Sequence, residues 1–245
     1  DFFGVPTTKG LVALKDSMPT RSDPIVNRLM ASGGIPLGKT NMPEMGMRLD
    51  TDNALFGRTL NPWDQNMTPG GSSGGDAVAL ATGMTPFGLG NDIGGSLRNP
   101  AYCCGIASLK PSQGLVPWSP SIDPLDSGAP NLMLTNGPMA RTVSDLKAGL
   151  SVIAGRSIYD PDSLDISSSP VLPIKPRAGF VTQIDGFDIP EITLKRIEEA
   201  ALRLEKNGWE IEETSPPELN LVFDVWASIL RPLIESLPLD YFAEK

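Results

Sequence analysis

The spacing of apolar and polar residues predicts a helix followed by a short strand near the start of the chain. The stretch "SDPIVNRLMASGG" places its apolar residues on one helical face, with Ser22 or Asp23 as the N-cap and Pro24 in the first turn. The next stretch, "IPLGKTN" at residues 35–41, predicts a short buried strand. A helix followed by a strand is typical of α/β layer structures.

The same pattern predicts two further helices and a β-α-β unit. One helix covers residues 76–82, and another begins after Thr142, which forms a near capping box with Asp145. Later, "RAGFVTQI" and "WEIEET" predict strands on either side of the amphipathic helix "PEITLKRIEEAALRLEKNG", which Gly208 ends. Residues 157–176, rich in Asp, Ser and Pro, predict a surface connection. A helix between two strands favours a parallel or mixed sheet.

Composition narrows the class of protein. With 245 residues, 40% hydrophobic and 20% charged, the chain suits one large domain or two small ones with a packed core. No apolar run approaches the roughly 18 residues of a membrane span. The net charge of −9 and the lack of a basic stripe argue against binding to a phosphate backbone. We therefore expect a cytoplasmic protein that binds neither a membrane nor nucleic acid directly.

Histidine and cysteine usage limits the chemistry that the chain can perform. The sequence contains no histidine, and its only cysteines are the neighbours Cys103 and Cys104. Ser-His-Asp and Cys-His catalysis, histidine metal sites and Cys-type zinc sites are therefore excluded within this sequence. We interpret the two cysteines as small buried apolar residues in a reducing compartment. We expect no cofactor and no metal, so catalysis would rest on other side chains or backbone groups.

Two glycine-serine clusters stand out, "GGSSGG" at residues 70–75 and "GGS" at residues 94–96. Such composition is typical of a flexible linker, but the first cluster opens directly onto an apolar helical pattern. A phosphate-binding loop is a poor match, because "GGIPLGKT" at residues 33–40 follows a helix instead of a strand. The dinucleotide pattern fails because Ile93 stands where its third glycine belongs.

A catalytic centre is the third interpretation of these clusters. Ser96 ends the stretch "NDIGGS" and is a candidate nucleophile. The backbone N–H groups of Ile93, Gly94, Gly95 and Ser96 could surround one oxygen as an oxyanion hole. A serine hydroxyl still needs a base, and without histidine the natural candidate is a lysine acting through a second serine.

Six motifs in order carry a resemblance that covers about the first 155 residues: "GKTNMPE", "LFGRTLNPWD", "GGSSGG", "GLGNDIGGSLRNPA", "CGIASLKPSQGLVP" and "NGPMARTVSDL". Together they resemble the amidase signature family, the serine hydrolases that cleave amides through a Ser-cisSer-Lys triad. The resemblance implies an α/β fold with a mixed, largely parallel central sheet covered by helices on both faces. It implies a single domain over residues 1–245, incomplete at both ends, with a motif core at about 22–155 and a β-α-β continuation at about 177–214.

The resemblance also implies roles for individual residues. Ser96 corresponds to the acyl-accepting nucleophile, and Ser72 to the serine on a cis peptide that relays the proton. Asp92 and Arg98 flank the nucleophile turn and are expected to brace it. Ser73 either joins the same hydrogen-bond network or is a simple turn serine.

The triad lysine has no match within the sequence. In the family it directly precedes an aspartate that aligns with Asp1, so the resemblance places it immediately upstream of that residue. Lys15 follows the "PTT" segment instead of preceding it and is interpreted as a surface lysine. Lys9 and Lys39 lack the strand-end context and are poor substitutes.

Three functions remain open at this point. The first is an amidase that hydrolyses a small-molecule amide, aliphatic or aryl, through an acyl-enzyme. The second is a truncated or degenerate homologue that binds a ligand or partner without turnover. The third is a glutaminase-type amidotransferase subunit, which would need a partner chain. A homodimer is a further open expectation.

Overall fold

The structure is a computed structural model that describes residues 1–121, 133–165, 176–215 and 219–235. Short 3₁₀ turns occur at Val12–Leu14 and Glu44–Gly46. The helices are α1 (Pro24–Ala31), α2 (Gly74–Ala81), α3 (Arg98–Cys104), α4 (Val143–Ile153), α5 (Glu191–Lys206) and α6 (Leu219–Glu235). The strands are β1 (Phe87–Asp92), β2 (Ala107–Ser108), β3 (Thr135–Ala140), β4 (Arg177–Phe180) and β5 (Glu210–Glu213).

The chain divides into two compact units, one of residues 1–167 with 235–245 and one of residues 168–234. The first unit contains α1 to α4 and β1 to β3, and the second contains β4, α5, β5 and nearly all of α6. A single domain over residues 1–245 stays a prediction. None of the helices in the described ranges is long and apolar enough to cross a membrane.

A three-stranded sheet in the order β1-β3-β2 forms the centre of the first unit. Strand β1 runs antiparallel to β3, from Phe87 opposite Ala140 to Asp92 opposite Thr135, and β2 is also antiparallel to β3. In the second unit, β4 and β5 are parallel. The mixed α/β fold is therefore confirmed, although among the described strands the parallel pairing occurs only in the second unit.

Helices cover both faces of the three-stranded sheet, as expected. Successive residues of a strand point to opposite faces. A Cβ on Gly88 would lie 2.8 Å from Oδ1 of Asp76, so Gly88 faces α2. Its neighbour Phe87 points the other way, and its ring lies directly against Gly149 of α4. The absence of side chains at Gly88 and Gly149 lets each helix approach the sheet closely.

Two apolar clusters form the core of the first unit. One lies between α2, α3 and β3, and the other joins α1 to the end of α4. Cys104 is fully buried and Cys103 half-buried, which confirms the interpretation of Cys104 as an apolar core residue. The buried members of the clusters are Ala77, Leu80, Leu97, Cys104 and Met139 in the first, and Ile25, Val116 and Ile153 in the second.

Side-chain caps begin α1 and α4 where the sequence predicts them. The Ile25 amide donates to Oδ1 of Asp23 at 3.2 Å, and the Asp145 amide donates to Oγ1 of Thr142 at 3.2 Å. Each cap satisfies an amide at a helix start that has no partner within the helix. The choice between the two candidate caps of α1 is therefore settled in favour of Asp23.

The predicted strand at residues 35–41 is wrong. The segment has no regular secondary structure, and Ile35 and Leu37 are 83% and 71% exposed. A strand needs a neighbouring strand to satisfy its backbone, and no described strand pairs with this segment. Side chains fix it instead: Nζ of Lys39 donates to the carbonyl of Pro6 at 2.9 Å and to Oγ1 of Thr7 at 2.8 Å.

The described part of the predicted surface connection, residues 157–165, is exposed at six of its nine positions, and Ile158 is 91% exposed. Ser157, Asp160 and Ser163 are buried in a turn, and Oδ2 of Asp160 accepts from the Trp118 amide at 2.8 Å. Short polar side chains serve here as partners for buried backbone groups. Residues 166–175 lie outside the described residues.

The second unit confirms the predicted β-α-β arrangement. Strands β4 and β5 pair from Arg177 opposite Glu210 to Phe180 opposite Glu213, with α5 between them in the chain. Gly208 lies just after the end of α5 and has a φ of +85°. Because a left-handed φ strains residues with a Cβ, glycine is the natural residue at that position.

Candidate active site

The predicted nucleophile lies in a tight turn between strand β1 and helix α3. The strand ends at Asp92, the helix begins at Arg98, and Ser96 is 5% exposed between them. The turn thus leads directly from the central sheet of the first unit into a helix whose Cys104 belongs to the core.

The carboxylate of Asp92 holds this turn from inside. It is fully buried and accepts hydrogen bonds from the amides of Gly95 at 2.8 Å and Leu97 at 3.1 Å. The Arg98 guanidinium binds both its oxygens, through Nε at 3.0 Å and Nη2 at 2.9 Å. Burial alone would raise the pKa of Asp92, but the hydrogen bonds and the Arg98 charge lower it below its usual value. The carboxylate therefore stays ionised at the centre of the turn.

The second predicted serine lies on a neighbouring segment. The peptide bond between Gly71 and Ser72 is cis, as the resemblance implies, and Ser72 is 3% exposed. The Ser73 amide donates to the carbonyl of Ser96 at 3.2 Å, and the Gly71 amide donates to Oδ1 of Asn99 at 3.1 Å. The structure therefore joins the "GGSSGG" segment to Ser96 on one side of Ser72 and to the start of α3 on the other.

Glycines let other segments approach these serines closely. A Cβ on Gly46 would lie 3.3 Å from Oγ of Ser72, and one on Gly90 would lie 2.5 Å from Oγ of Ser73. Ser73 thus packs against strand β1, and Ser72 faces the 3₁₀ turn that contains Gly46. The two neighbouring serines therefore have different surroundings.

The expected oxyanion hole is modified at one position. The Gly95 amide already donates to Asp92, so this donor stabilises the turn itself. The amides of Ile93, Gly94 and Ser96 stay predicted donors. Gly94 is exposed, which leaves its backbone accessible from outside the turn.

Sequence analysis missed Asp76, a half-buried carboxyl in the first turn of α2. It accepts from the Thr40 hydroxyl and from the Leu89 amide. Burial disfavours its charged form and raises its pKa to about 6. An acidic residue in a helix's first turn is an ordinary sequence signal, so nothing marked this one as buried.

Asn99 was also missed, since the sequence shows it only as one polar residue after Arg98.

The structure places two of the lysines that the sequence analysis considered as possible bases. Lys15 is exposed, which confirms its interpretation as a surface lysine, and Lys39 is bound to Pro6 and Thr7. Burial, and then the nearby charge of Lys9, lower the pKa of Lys39. Within the described ranges, no three Cys, Asp or Glu side chains are grouped to hold a metal ion.

Comparison with known proteins identifies the family of this chain. The Amidase family profile matches residues 1–232. The chain belongs to the amidase family. A bacterial aryl acylamidase of the amidase signature enzymes superposes with a TM-score of 0.81 at 29% identity, over 100% of this chain and 54% of that one. A glutamyl-tRNA(Gln) amidotransferase chain of Thermotoga maritima also gives 0.81 at 29% identity, over 96% and 52%.

Curated relatives of this chain include enzymes with two different activities. Indoleacetamide hydrolase of Bradyrhizobium diazoefficiens is 38% identical over 234 residues, which cover 94% of this chain and 44% of the relative. The corresponding glutamyl-tRNA(Gln) amidotransferase chain of a Picosynechococcus species is 36% identical over 229 residues, 87% of this chain and 45% of the relative. The chain spans about half the length of the curated relatives it matches.

Proposed function

We propose that this amidase hydrolyses a small-molecule amide through an acyl-enzyme on Ser96, with Ser72 relaying the proton. The hydrogen bond between the Ser73 amide and the Ser96 carbonyl, at 3.2 Å, carries the proposal. It brings two buried serine-bearing segments together in a chain that belongs to the amidase family.

The proposed base is a lysine that directly precedes Asp1 in the full-length protein. In its neutral form it takes a proton from Ser96 through Ser72, and the Ser96 oxygen attacks the amide carbonyl. The same groups then return the proton to the leaving amine, and water hydrolyses the ester. To be largely neutral, this lysine needs a pKa lowered from about 10.4 to near 7, which burial can achieve.

In this mechanism the turn around Ser96 stabilises the negative charge that develops on the carbonyl oxygen. The amides of Ile93, Gly94 and Ser96 are the proposed donors, and each such donor is worth roughly 3–4 kcal/mol in the transition state. The Gly95 amide has a different role, because its hydrogen bond to Asp92 keeps the turn in place. Such donors act best when they need no rearrangement during the reaction.

An aryl or indolyl amide is the substrate class that we favour. The indoleacetamide hydrolase is the more similar of the two curated relatives described, and an aryl acylamidase shares the fold. A glutaminase-type amidotransferase subunit is the second candidate, since the Picosynechococcus and Thermotoga proteins are chains of glutamyl-tRNA(Gln) amidotransferases. The non-catalytic homologue is the third, and it predicts no turnover with either substrate class.

Ammonia release from indole-3-acetamide and from glutamine separates these candidates. The full-length protein should act on the aryl amide, and Ser96→Ala should reduce kcat by at least about 10³-fold. Lys15→Ala is the matched control for the base and should leave activity unchanged, since Lys15 is exposed. Activity on glutamine alone would favour the amidotransferase candidate. Equal damage from Lys15→Ala and Ser96→Ala would show that the base is misplaced.

A further inference from the structure

We propose that Asn99 is a positioning residue that sets where Ser72 lies relative to Ser96. The inference rests on the proposed function, and it adds a residue whose side chain does not itself enter the chemistry. Asn99 is the second residue of α3, so it follows the nucleophile turn directly.

The residues directly before and after Ser72 each donate a backbone hydrogen bond. On one side the Ser73 amide donates to the Ser96 carbonyl at 3.2 Å. On the other side the Gly71 amide donates to Oδ1 of Asn99 at 3.1 Å. The first bond joins two backbone groups, whereas the second depends on the side chain of Asn99.

Asn99 is itself firmly placed. Its amide donates to the Gly95 carbonyl at 2.7 Å, and Gly95 in turn donates to the buried carboxylate of Asp92. The backbone of Asn99, from which the side chain reaches the Gly71 amide, is therefore anchored to the same turn that carries the predicted nucleophile. Through Asn99, the position of Ser72 relative to Ser96 therefore also depends on Asp92.

The segment before Ser72 lies directly on the start of α3. A Cβ on Gly70 would lie 2.6 Å from Cα of Pro100 and 2.7 Å from Oδ1 of Asn99. Because this packing leaves no space for a side chain, the segment has no room to move towards α3. Without the Asn99 oxygen, the part-buried Gly71 amide would lose its hydrogen-bond acceptor. The segment would then shift outward, where water can accept from that amide.

Such a shift would act on proton transfer more than on substrate binding. The acceptor atom of a relay group must lie about 2.6–3.2 Å from the heavy atom whose proton it accepts. A displacement of about 1 Å can cost on the order of 100-fold in rate. We therefore expect Asn99 to affect kcat and the reactivity of Ser96, with little effect on KM.

Three variants of the full-length protein test the proposal. Asn99→Leu removes the acceptor at similar volume, and Asn99→Asp keeps an oxygen in the same place. Asn61→Leu is the control, because Asn61 is a buried side chain that also bonds the backbone, although as a donor: its Nδ2 donates to the carbonyls of Thr68 at 2.9 Å and Cys103 at 3.0 Å. Each variant is measured for kcat and KM on indole-3-acetamide, for fluorophosphonate labelling of Ser96, and for hydrogen exchange of the Gly71 amide.

Asn99→Leu should lower kcat and the labelling rate by roughly 10- to 100-fold, with KM changed by less than about threefold. Its Gly71 amide should exchange faster, and Asn99→Asp should restore both properties. Asn61→Leu should leave the labelling rate of the folded protein unchanged. If Asn99→Leu had the same Gly71 amide exchange rate and the same kcat as the wild type, the proposal would be overturned. If wild-type Ser96 itself were not labelled, the proposed function would fail, and Gly71 exchange would still decide whether Asn99 holds this segment.

Discussion

At the scale of single residues, the buried carboxylate of Asp92 accepts the hydrogen bonds that hold the turn at Ser96. A buried carboxylate that loses its charge keeps its position but weakens every bond it accepts, including those from Gly95, Leu97 and Arg98. Hydrogen bonds to a charged group contribute more to stability than neutral ones. The turn should therefore respond to both mutation and acid.

Asp92→Asn should lower the free energy of unfolding by about 2–4 kcal/mol, because a buried charged acceptor of several bonds is lost. Since the folded pKa of Asp92 lies below its unfolded value, the stabilisation is complete above about pH 5 and is lost as pH falls through the folded pKa. Urea unfolding of wild type and variant from pH 3 to pH 8 measures this. Asp64→Asn, at an exposed position, is the control. A stability difference that stays constant below pH 4 would contradict the role of the charge.

Asp76 should show the opposite pH dependence. Its folded pKa of about 6 lies above its unfolded value, so the folded state holds a proton that the unfolded state has lost between about pH 4 and pH 6. Stability relative to Asp76→Asn should fall through that window, by on the order of 2–3 kcal/mol in total. Parallel urea titrations of wild type and Asp76→Asn measure the difference. A difference that rises with pH would contradict a carboxyl kept neutral by burial.

The residues of the site divide by how they are recognised from sequence. Ser72, Ser96, Asp92 and Arg98 stand in motifs whose order is specific, so the sequence itself proposes them as candidates. Asn99 could not be predicted, because its partner is a backbone amide 28 positions away and any polar residue at that place looks alike. The occupation of the Gly95 amide by Asp92 also depends on three-dimensional geometry.

At the scale of elements, sequence signals predict helix ends correctly where the hydrogen-bond partners are near in sequence. They fail to predict strands where the partners are distant in sequence. The caps Asp23 and Thr142 and the stop at Gly208 act within a few residues, and all three are found in the structure. Residues 35–41 have the pattern of a buried strand, yet pairing with another strand is a tertiary property. Instead, two side chains of that segment bond groups that are distant in sequence: Lys39 donates to Thr7, and Thr40 donates to Asp76.

Gly149 gives a prediction at this scale, since alanine normally stabilises a helix relative to glycine. Here a methyl group would clash with the edge of the Phe87 ring on β1, so Gly149→Ala should destabilise the protein by about 1–3 kcal/mol. Thermal and urea unfolding measure the change. Combining it with Phe87→Ala should remove most of the penalty, because the space then opens. An additive double variant would show that α4 does not press against β1 at this point.

At the scale of the whole molecule, the six ordered motifs predicted the family and the mixed α/β fold, and both are confirmed. The division into two compact units was not predicted, since residues 157–176 contain no signal that distinguishes a connection between units from one within a unit.

The claim that Ser96 is the nucleophile is tested most directly by treating the full-length protein with a fluorophosphonate and mapping the modified peptide by mass spectrometry. We predict one labelled residue, Ser96, with no label in Ser96→Ala and slower labelling in Ser72→Ala. Folded protein that stays unlabelled, or a label on Ser72 or Ser73 that persists in Ser96→Ala, would contradict this assignment.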